Sequence, residues 1–313
     1  MPRLFADTPL DTSKLPAFRA EHFPYSGPYP WLDRPDALEQ IAARGLTEEQ
    51  ARQCRNWVEC GYIILNRLIE EPVLDEVWQS YEHAIAAGRI KLPQEPAAAD
   101  DPYPGRFLNP HKKAGAFCRI LKHPGLLDWL RLLTGREPKA LQTIASHKGS
   151  QQGVHSDSIH MTTYPIGYLT AAWIAFEDIY PDSGPLVYYP GSHRLPYVFS
   201  HDVGITEAAF RQEGYAPYHA RYEPYIRETI ERHGLEPHYF HAKKGDVLIW
   251  HANLLHGGSA RRDMRLTRKA GVCHFFVKGA FVYHDLAASR SKQQYVGTCL
   301  LRDRVGKPLV GRD

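Results

Sequence analysis

Two rhythms of apolar and polar positions divide the chain. Up to about residue 135 the regular stretches follow a helical period, and from about 139 they shorten into strand-like runs. "LTEEQARQCRNWVEC" begins with Thr47 and, three residues on, Gln50, the side-chain pair of a capping box, so a helix is expected to about Cys60. "GYIILN" then reads as a short buried strand, and "EEPVLDEVWQSYEHAIAAG" as an amphipathic helix with Pro72 in its first turn and Gly88 at its end. Residues 91–114 look like loop, and a short helix is expected at "PGLLDWLRLLTG". Beyond 139, "KALQTIASHK", "GYLTAAWIAFEDI", "GPLVYYPGSH", "PHYFHA", "DVLIWHANLLH" and "LTRKAGVCHFFVKGAFVYH" are β-rich runs broken by Gly, Pro, Asp and Ser. The pattern predicts a sandwich or barrel of antiparallel strands, mainly β with flanking helices. One helical insert, about 205–233, interrupts it. Residues 1–45 have little periodicity and read as an irregular arm rich in Pro, Gly and aromatics that packs on the body or on another subunit.

Composition narrows the partners more than the fold. The 313 residues suffice for one large domain or two small ones, and 43% hydrophobic content suits a globular core. A formal charge of +3 advertises neither nucleic acid nor an anionic membrane, which leaves small molecules as the expected ligands. No apolar run approaches the roughly 18 residues of a membrane span, and the first residues lack the basic and apolar regions of an export signal, so a cytoplasmic protein is expected. Five scattered cysteines, with no CxxC, fit a reducing compartment. Seventeen histidines are more than ordinary use requires, and histidine is the commonest transition-metal ligand.

"GVHSDSIHM" sets His155 and Asp157 two positions apart. On a strand, such residues share a face, so the two side chains could converge while Ser156 turns away. A second histidine would complete a 2-His-1-carboxylate triad, which holds Fe(II) and leaves open positions. "DVLIWHANLLHGGS" offers His251 and His256, whose odd separation puts them on opposite faces of one continuous strand, so one of them is expected to ligate. Arg268 follows His256 by twelve residues. Its guanidinium matches a carboxylate in a two-pronged fork.

Taken in order, "VHSDSIHM", "LTAAWIAFEDIYPDSGPLVYYPGSHR", "KKGDVLIWHANLLHGGS" and "LTRKAGVCHFF" resemble the phytanoyl-CoA dioxygenase family, iron and 2-oxoglutarate-dependent oxygenases that include ectoine hydroxylase. The resemblance runs over roughly 55–280. It implies a double-stranded β-helix, or jelly roll, forming a single catalytic domain over 46–313, with the insert at 205–233 as a substrate lid or else a peripheral or dimer contact. It implies that His155, Asp157 and His256 bind Fe(II), that Arg268 pairs with the distal carboxylate of 2-oxoglutarate, and that O2 takes the remaining metal position. The reaction it implies is hydroxylation of an unactivated C–H with release of succinate and CO2. Asp157 stands where related halogenases have a small residue. Where relatives read His-Gly-Ser, this chain reads His256-Gly257-Gly258-Ser259, so Ser259 could reach the cosubstrate only if the loop bulges by one residue.

Further positions are open to two readings. Gln142 could hydrogen-bond 2-oxoglutarate or be a satisfied polar group at a strand edge. Trp173 could line the pocket or simply pack in the core, and His160 could be a pocket or a surface group. Arg261 and Arg262, with Arg265, form either a solvated turn or a cationic rim that favours an anionic substrate. A cupin-like hydrolase or isomerase using the same ligands with another metal would need neither Arg268 nor 2-oxoglutarate. A non-catalytic jelly-roll binding protein would not need the triad. The sequence specifies no substrate, and a homodimer through the N-terminal arm stays open.

Overall fold

A computed structural model of the chain describes residues 29–92 and 105–286. Helices α1 (Ala37–Ala43) and α2 (Glu48–Cys60) lead into strand β1 (Tyr62–Leu65) and helix α3 (Glu71–Ala86). Strand β2 (Phe107–Leu108) and helices α4 (Phe117–Leu121) and α5 (Pro124–Thr134) precede β3 (Pro138–Ser146), β4 (Thr162–Tyr164), β5 (Thr170–Ala175) and β6 (Leu186–Tyr188). The insert contributes α6 (Glu207–Glu213) and α7 (Glu223–His233). After it come β7 (His238–Phe240), β8 (Val247–His251), β9 (His256–Gly258), β10 (Ala270–Val277) and β11 (Phe281–Tyr283).

All strand pairings among the described residues are antiparallel. A six-stranded sheet in the order β1-β8-β5-β10-β3-β2 stands against a three-stranded sheet in the order β7-β6-β9, and β11 pairs with β4. This is the expected jelly roll with helices on the outer face of one sheet. The two-residue period of the strands divides the core. On β8, Val247 and Ile249 join Ile63, Ala172 and Ile174 in the layer beneath the N-terminal helices. Leu248 and Trp250 face the other way, into the space between the sheets, beside Ala171, Trp173, Leu186 and Phe240.

Local chemistry explains the helix boundaries that lead into this sandwich. The Gln50 amide donates to Thr47 Oγ1 at 3.2 Å and the Thr47 amide to Gln50 Oε1 at 3.1 Å, the expected capping box of α2. The helix ends at Gly61, whose φ of 82° suits glycine and whose missing side chain admits the His193 ring: a Cβ there would lie 2.5 Å from it.

Two segments differ from the sequence expectation. The stretch at 91–114 was expected to be loop, but Phe107 and Leu108 pair with Ala145 and Ile144 as an edge strand too short to show a period. Of the segment expected to be an irregular arm, residues 29–45 hold a 3-10 turn (Trp31–Asp33) and α1, docked by Trp31, Leu32 and Ile41 against the helical core. The remainder, residues 1–28, lies outside the described residues. The four described cysteines are free thiols, and Cys299 is outside the described residues.

Candidate active site

His155 and His256 come from segments a hundred residues apart and meet as an antiparallel bridge, each donating its amide to the other's carbonyl at 2.9 Å. The bridge adds the chain at His155 to the edge strand β9 of the smaller sheet. Asp157 does not continue that strand, as the HxD spacing had suggested. It opens a 3-10 turn (Asp157–Ile159). The turn brings Asp157 Oδ1 to 4.0 Å from His155 Nε2 and 3.7 Å from His256 Nε2, and the three potential ligand atoms lie within 4.8 Å of one another. All three residues are buried.

The tautomers are set for metal binding. His155 Nδ1 donates to the Gly153 carbonyl at 2.8 Å and His256 Nδ1 to the Leu254 carbonyl at 2.9 Å, which leaves each Nε2 lone pair aimed at the shared point. Burial, with His256 nearby, pushes the His155 imidazole down to about 3, and burial also lowers His256. Both imidazoles are neutral at physiological pH, the form a metal ligand requires. Burial alone would raise the Asp157 carboxyl, but His256, His274 and His155 hold it below the ordinary carboxylate range. Its second oxygen, Oδ2, accepts from Trp250 Nε1 at 2.8 Å and lies 3.6 Å from His274 Nε2. Oδ1 is thereby left for a metal.

A cavity of about 620 Å³, counting its open mouth, lies between the sheets with the triad on its wall. Trp173, Trp250, Val272 and His274 line it from the larger sheet, and Arg268 closes one end. Arg268 is buried, its NH1 donates to the Gly184 carbonyl at 2.9 Å, and its Nε has no partner. No carboxylate pairs with it among the described residues. Burial and the neighbouring Arg261 lower its guanidinium to about 10, which leaves it charged near neutrality. An unpaired buried cation is costly, so this end of the cavity demands an anion. Donor set, tautomers and orphaned guanidinium together fit a divalent iron and a dicarboxylate cosubstrate.

Other candidate residues divide into those that line the cavity and those that do not. Trp173 does both things foreseen for it: it packs edge-on against Phe240 and lines the cavity, with the Arg268 guanidinium 5.7 Å above its ring. Gln142 is half-buried opposite His274, on the strand face shared by the lining residues Ile144 and Ser146, but is not itself among the lining residues. Ser259 is turned elsewhere, its hydroxyl donating to the Pro185 carbonyl at 2.8 Å. The cause is the extra glycine: a Cβ on Gly257 would lie 2.9 Å from the Gln152 carbonyl, and one on Gly258 2.5 Å from Ser150 Oγ, so β9 packs flush against 150–154 without the bulge that Ser259 would need.

The arginine-rich turn does not form the cavity rim. Arg262 is largely exposed beside Asp182, and Arg265 is exposed on Asp263. Arg261 is buried behind Arg268, donating to the Met264 carbonyl, and lies outside the lining. His251 is not part of the triad and meets Asp33 at 3.2 Å, but the reason is not the odd offset on one continuous strand: β8 ends at His251 in the larger sheet, and His256 opens β9 in the smaller one. His160 is neither ligand nor surface group: its ring, 5.2 Å from that of His155, packs against Tyr215 and Tyr218 of the insert, and neither ring nitrogen has a partner. Sequence reasoning missed Trp250, His274, Arg106 and Gln152 in the lining, and Tyr222 behind it. Strand alternation from Leu248 would have found Trp250. Tyr222 had no local signal; from a π-helical turn (Tyr218–Tyr222) its hydroxyl accepts from the Ser156 amide at 3.1 Å, between the two ligands of the HxD pair.

The jelly roll, the buried triad and the cationic end of the cavity define a class, the non-heme iron and 2-oxoglutarate-dependent dioxygenases. The phytanoyl-CoA dioxygenase family model matches residues 57–270, and the chain belongs to that family. It is 26% identical over 252 residues to a probable phytanoyl-CoA dioxygenase of Caenorhabditis elegans, covering 72% of this chain and 74% of that protein. It is 29% identical over 159 residues to the ectoine dioxygenase of Halomonas elongata, covering 48% of this chain and 46% of that one. It likewise spans only 43% of the bovine peroxisomal phytanoyl-CoA dioxygenase, at 28% identity over 49% of this chain. Among solved structures, EctD from S. alaskensis with bound Fe superposes with a TM-score of 0.59 at 18% identity, over 92% of both chains. The epimerase SnoN of nogalamycin biosynthesis, in complex with Fe3+, alpha ketoglutarate and nogalamycin RO, gives 0.57 at 18% identity, over 89% of this chain and 97% of that one.

Proposed function

We propose that the protein hydroxylates an unactivated C–H of a small-molecule substrate, with His155, Asp157 and His256 as the Fe(II) ligands and Arg268 as the anchor of 2-oxoglutarate. Iron bound there with 2-oxoglutarate would supply the oxidising chemistry: one oxygen atom of O2 enters the substrate as hydroxyl and the other converts 2-oxoglutarate to succinate and CO2. The residues do the positioning. Arg268 would fix the far carboxylate in a dry pocket where charge-assisted hydrogen bonds are strong. Trp250 holds Asp157 so that one oxygen faces the metal. The buried walls around the triad keep bulk water from the reacting centre.

The observation that carries this reading is the pairing of a buried triad with a buried, carboxylate-free guanidinium in one cavity. A hydrolase or isomerase built on the triad would have no use for the second half of that pair. Asp157 supports hydroxylation over halogenation, because its carboxylate takes the position that a halide would need. The test is an anaerobic titration of Fe(II)-loaded protein with 2-oxoglutarate, following the visible charge-transfer band. Wild type should develop the band, Asp157→Ala should lose it with its iron, and Arg268→Ala should keep iron but need at least tenfold more 2-oxoglutarate. Stoichiometric iron without a band in wild type would sink the proposal and favour a hydrolase or isomerase.

A further inference from the structure

Arg268 reaches into the cavity from the point where the chain rejoins the larger sheet. β10 opens at Ala270, paired with Ser146 at the end of β3, and Arg268 lies two residues ahead of it, after the arginine-rich turn. Its amide donates to the His147 carbonyl at 2.7 Å, one residue past β3. Ser146 lines the cavity, and by strand alternation His147 faces the other way, toward α3. There its Nε2 donates to Glu82 Oε1 at 2.7 Å, and the same oxygen accepts from Trp78 Nε1 at 3.0 Å. The imidazole packs against Trp78 and Tyr81, with ring centroids 5.0 and 5.5 Å away. Neither His147 nor Glu82 lines the cavity, so any effect they have on the cosubstrate passes through Arg268.

A guanidinium that meets a carboxylate as a fork must present both prongs at once, and a shift of about 1 Å at its root is enough to lose one of them. The tip of Arg268 is held by the Gly184 carbonyl and lies over the Trp173 ring, and its root hangs from the His147 carbonyl. The next amide, that of Lys269, donates to Glu177 Oε1 at 2.7 Å, which directs the strand onward and leaves the Arg268 peptide to His147. We propose that His147, latched to Glu82, is a positioning residue for the 2-oxoglutarate anchor: it fixes the peptide from which Arg268 enters the cavity, so a helix on the opposite face of the sheet sets how tightly the cosubstrate's far carboxylate is held. This rests on the iron and 2-oxoglutarate reading given above. With the latch removed the imidazole is free to turn, its carbonyl turns with it, and Arg268 loses its fixed root. The metal ligands belong to the smaller sheet and the HxD turn, so metal binding should be spared.

The test reads binding rather than turnover, by calorimetric titration with 2-oxoglutarate of protein loaded with Zn(II), which holds the site without redox chemistry. His147→Phe keeps a ring against Trp78 and Tyr81 and deletes the latch. Glu82→Ala deletes it from a half-exposed position and carries the same test should His147→Phe fold poorly. Each should weaken 2-oxoglutarate binding roughly fivefold or more, while Glu82→Gln, which keeps an acceptor for the imidazole, stays within about twofold of wild type. Zn(II) affinity should be unchanged in all three. Added to Arg268→Ala, neither His147→Phe nor Glu82→Ala should weaken binding further, because the group they position is gone. Wild-type affinity in Glu82→Ala, a loss in Glu82→Gln as large as that in Glu82→Ala, or a loss of Zn(II) affinity would overturn the proposal. So would the full loss reappearing on top of Arg268→Ala, which would make the latch merely structural. Failure of wild type to bind 2-oxoglutarate would instead sink the iron and 2-oxoglutarate reading beneath it.

Discussion

Asp157 has two oxygens with separate duties, and the division depends on one indole. Trp250 Nε1 donates to Oδ2 at 2.8 Å, and His274 stands farther off at 3.6 Å, so the carboxylate is kept from rotating its second oxygen toward the metal point. Trp250 also lies against the His256 ring, with centroids 4.5 Å apart. Replacing it with Phe removes the donor while keeping most of the apolar body. Partners of metal ligands of this kind are worth about 10–100-fold in metal affinity. Trp250→Phe should therefore weaken Fe(II) binding by roughly tenfold or more in an anaerobic chelator competition, while a native near-ultraviolet dichroism spectrum shows that the core survives. Unchanged iron affinity would mean that the turn at Asp157 holds the carboxylate unaided. The need for such a partner is readable from the buried carboxylate, but its identity depends on the register between β8 and the HxD turn, which a single sequence does not carry.

At the scale of elements, the insert is tied to the metal site and is no detached decoration. Tyr222 is fully buried, and its hydroxyl meets both the amide and, at 3.2 Å, the Oγ of Ser156. Ile159, just past Asp157, packs in one cluster with Tyr218, Tyr222 and Ile226. Tyr222→Phe keeps that packing and deletes the hydroxyl, leaving the Ser156 amide buried without its acceptor, a cost of about 1–3 kcal/mol. The expected outcome is a lower melting temperature together with a shifted or broadened Fe(II)–2-oxoglutarate charge-transfer band. A change in stability with an unaltered band would make the contact purely structural. Helices α2, α3 and α5 were legible because capping residues, Pro and a 3.6-residue stripe are local signals. The HxD segment misled because a spacing of two fits a strand and also fits a bridge followed by a turn. The partner of the Ser156 amide in that segment is a tyrosine 66 positions away. Strand β2 and Arg106 went unseen for a similar reason, since two residues cannot display a period and only pairing with β3 makes them a strand.

For the whole molecule, buried histidines outside the metal point link folding to pH. Burial and then Lys112 lower His111 to about 4, with its Nδ1 2.6 Å from Thr143 Oγ1 on β3, and burial and then His251 lower His193 to about 3 at the end of α2. Each binds its proton less readily in the native chain than at the unfolded value near 6.5. Their stabilising contribution is therefore complete above that value and falls as the pH drops toward the folded value. Asp285 works against them: burial raises it to about 7, so it favours the native state as acid is added from that point down to the ordinary carboxylate range. The histidines outnumber it, and the net slope should be a loss of stability on acidification below about pH 6. Denaturant melts of metal-free protein at pH 6 and 4.5 check this, with His111→Gln as the comparison. One group titrating in one state only contributes about 1.4 kcal/mol per pH unit, so the variant's acid-side slope should be shallower by roughly that amount. Parallel slopes for the two proteins would mean that His111 already takes its proton in the folded state, which its buried, unpartnered Nε2 argues against.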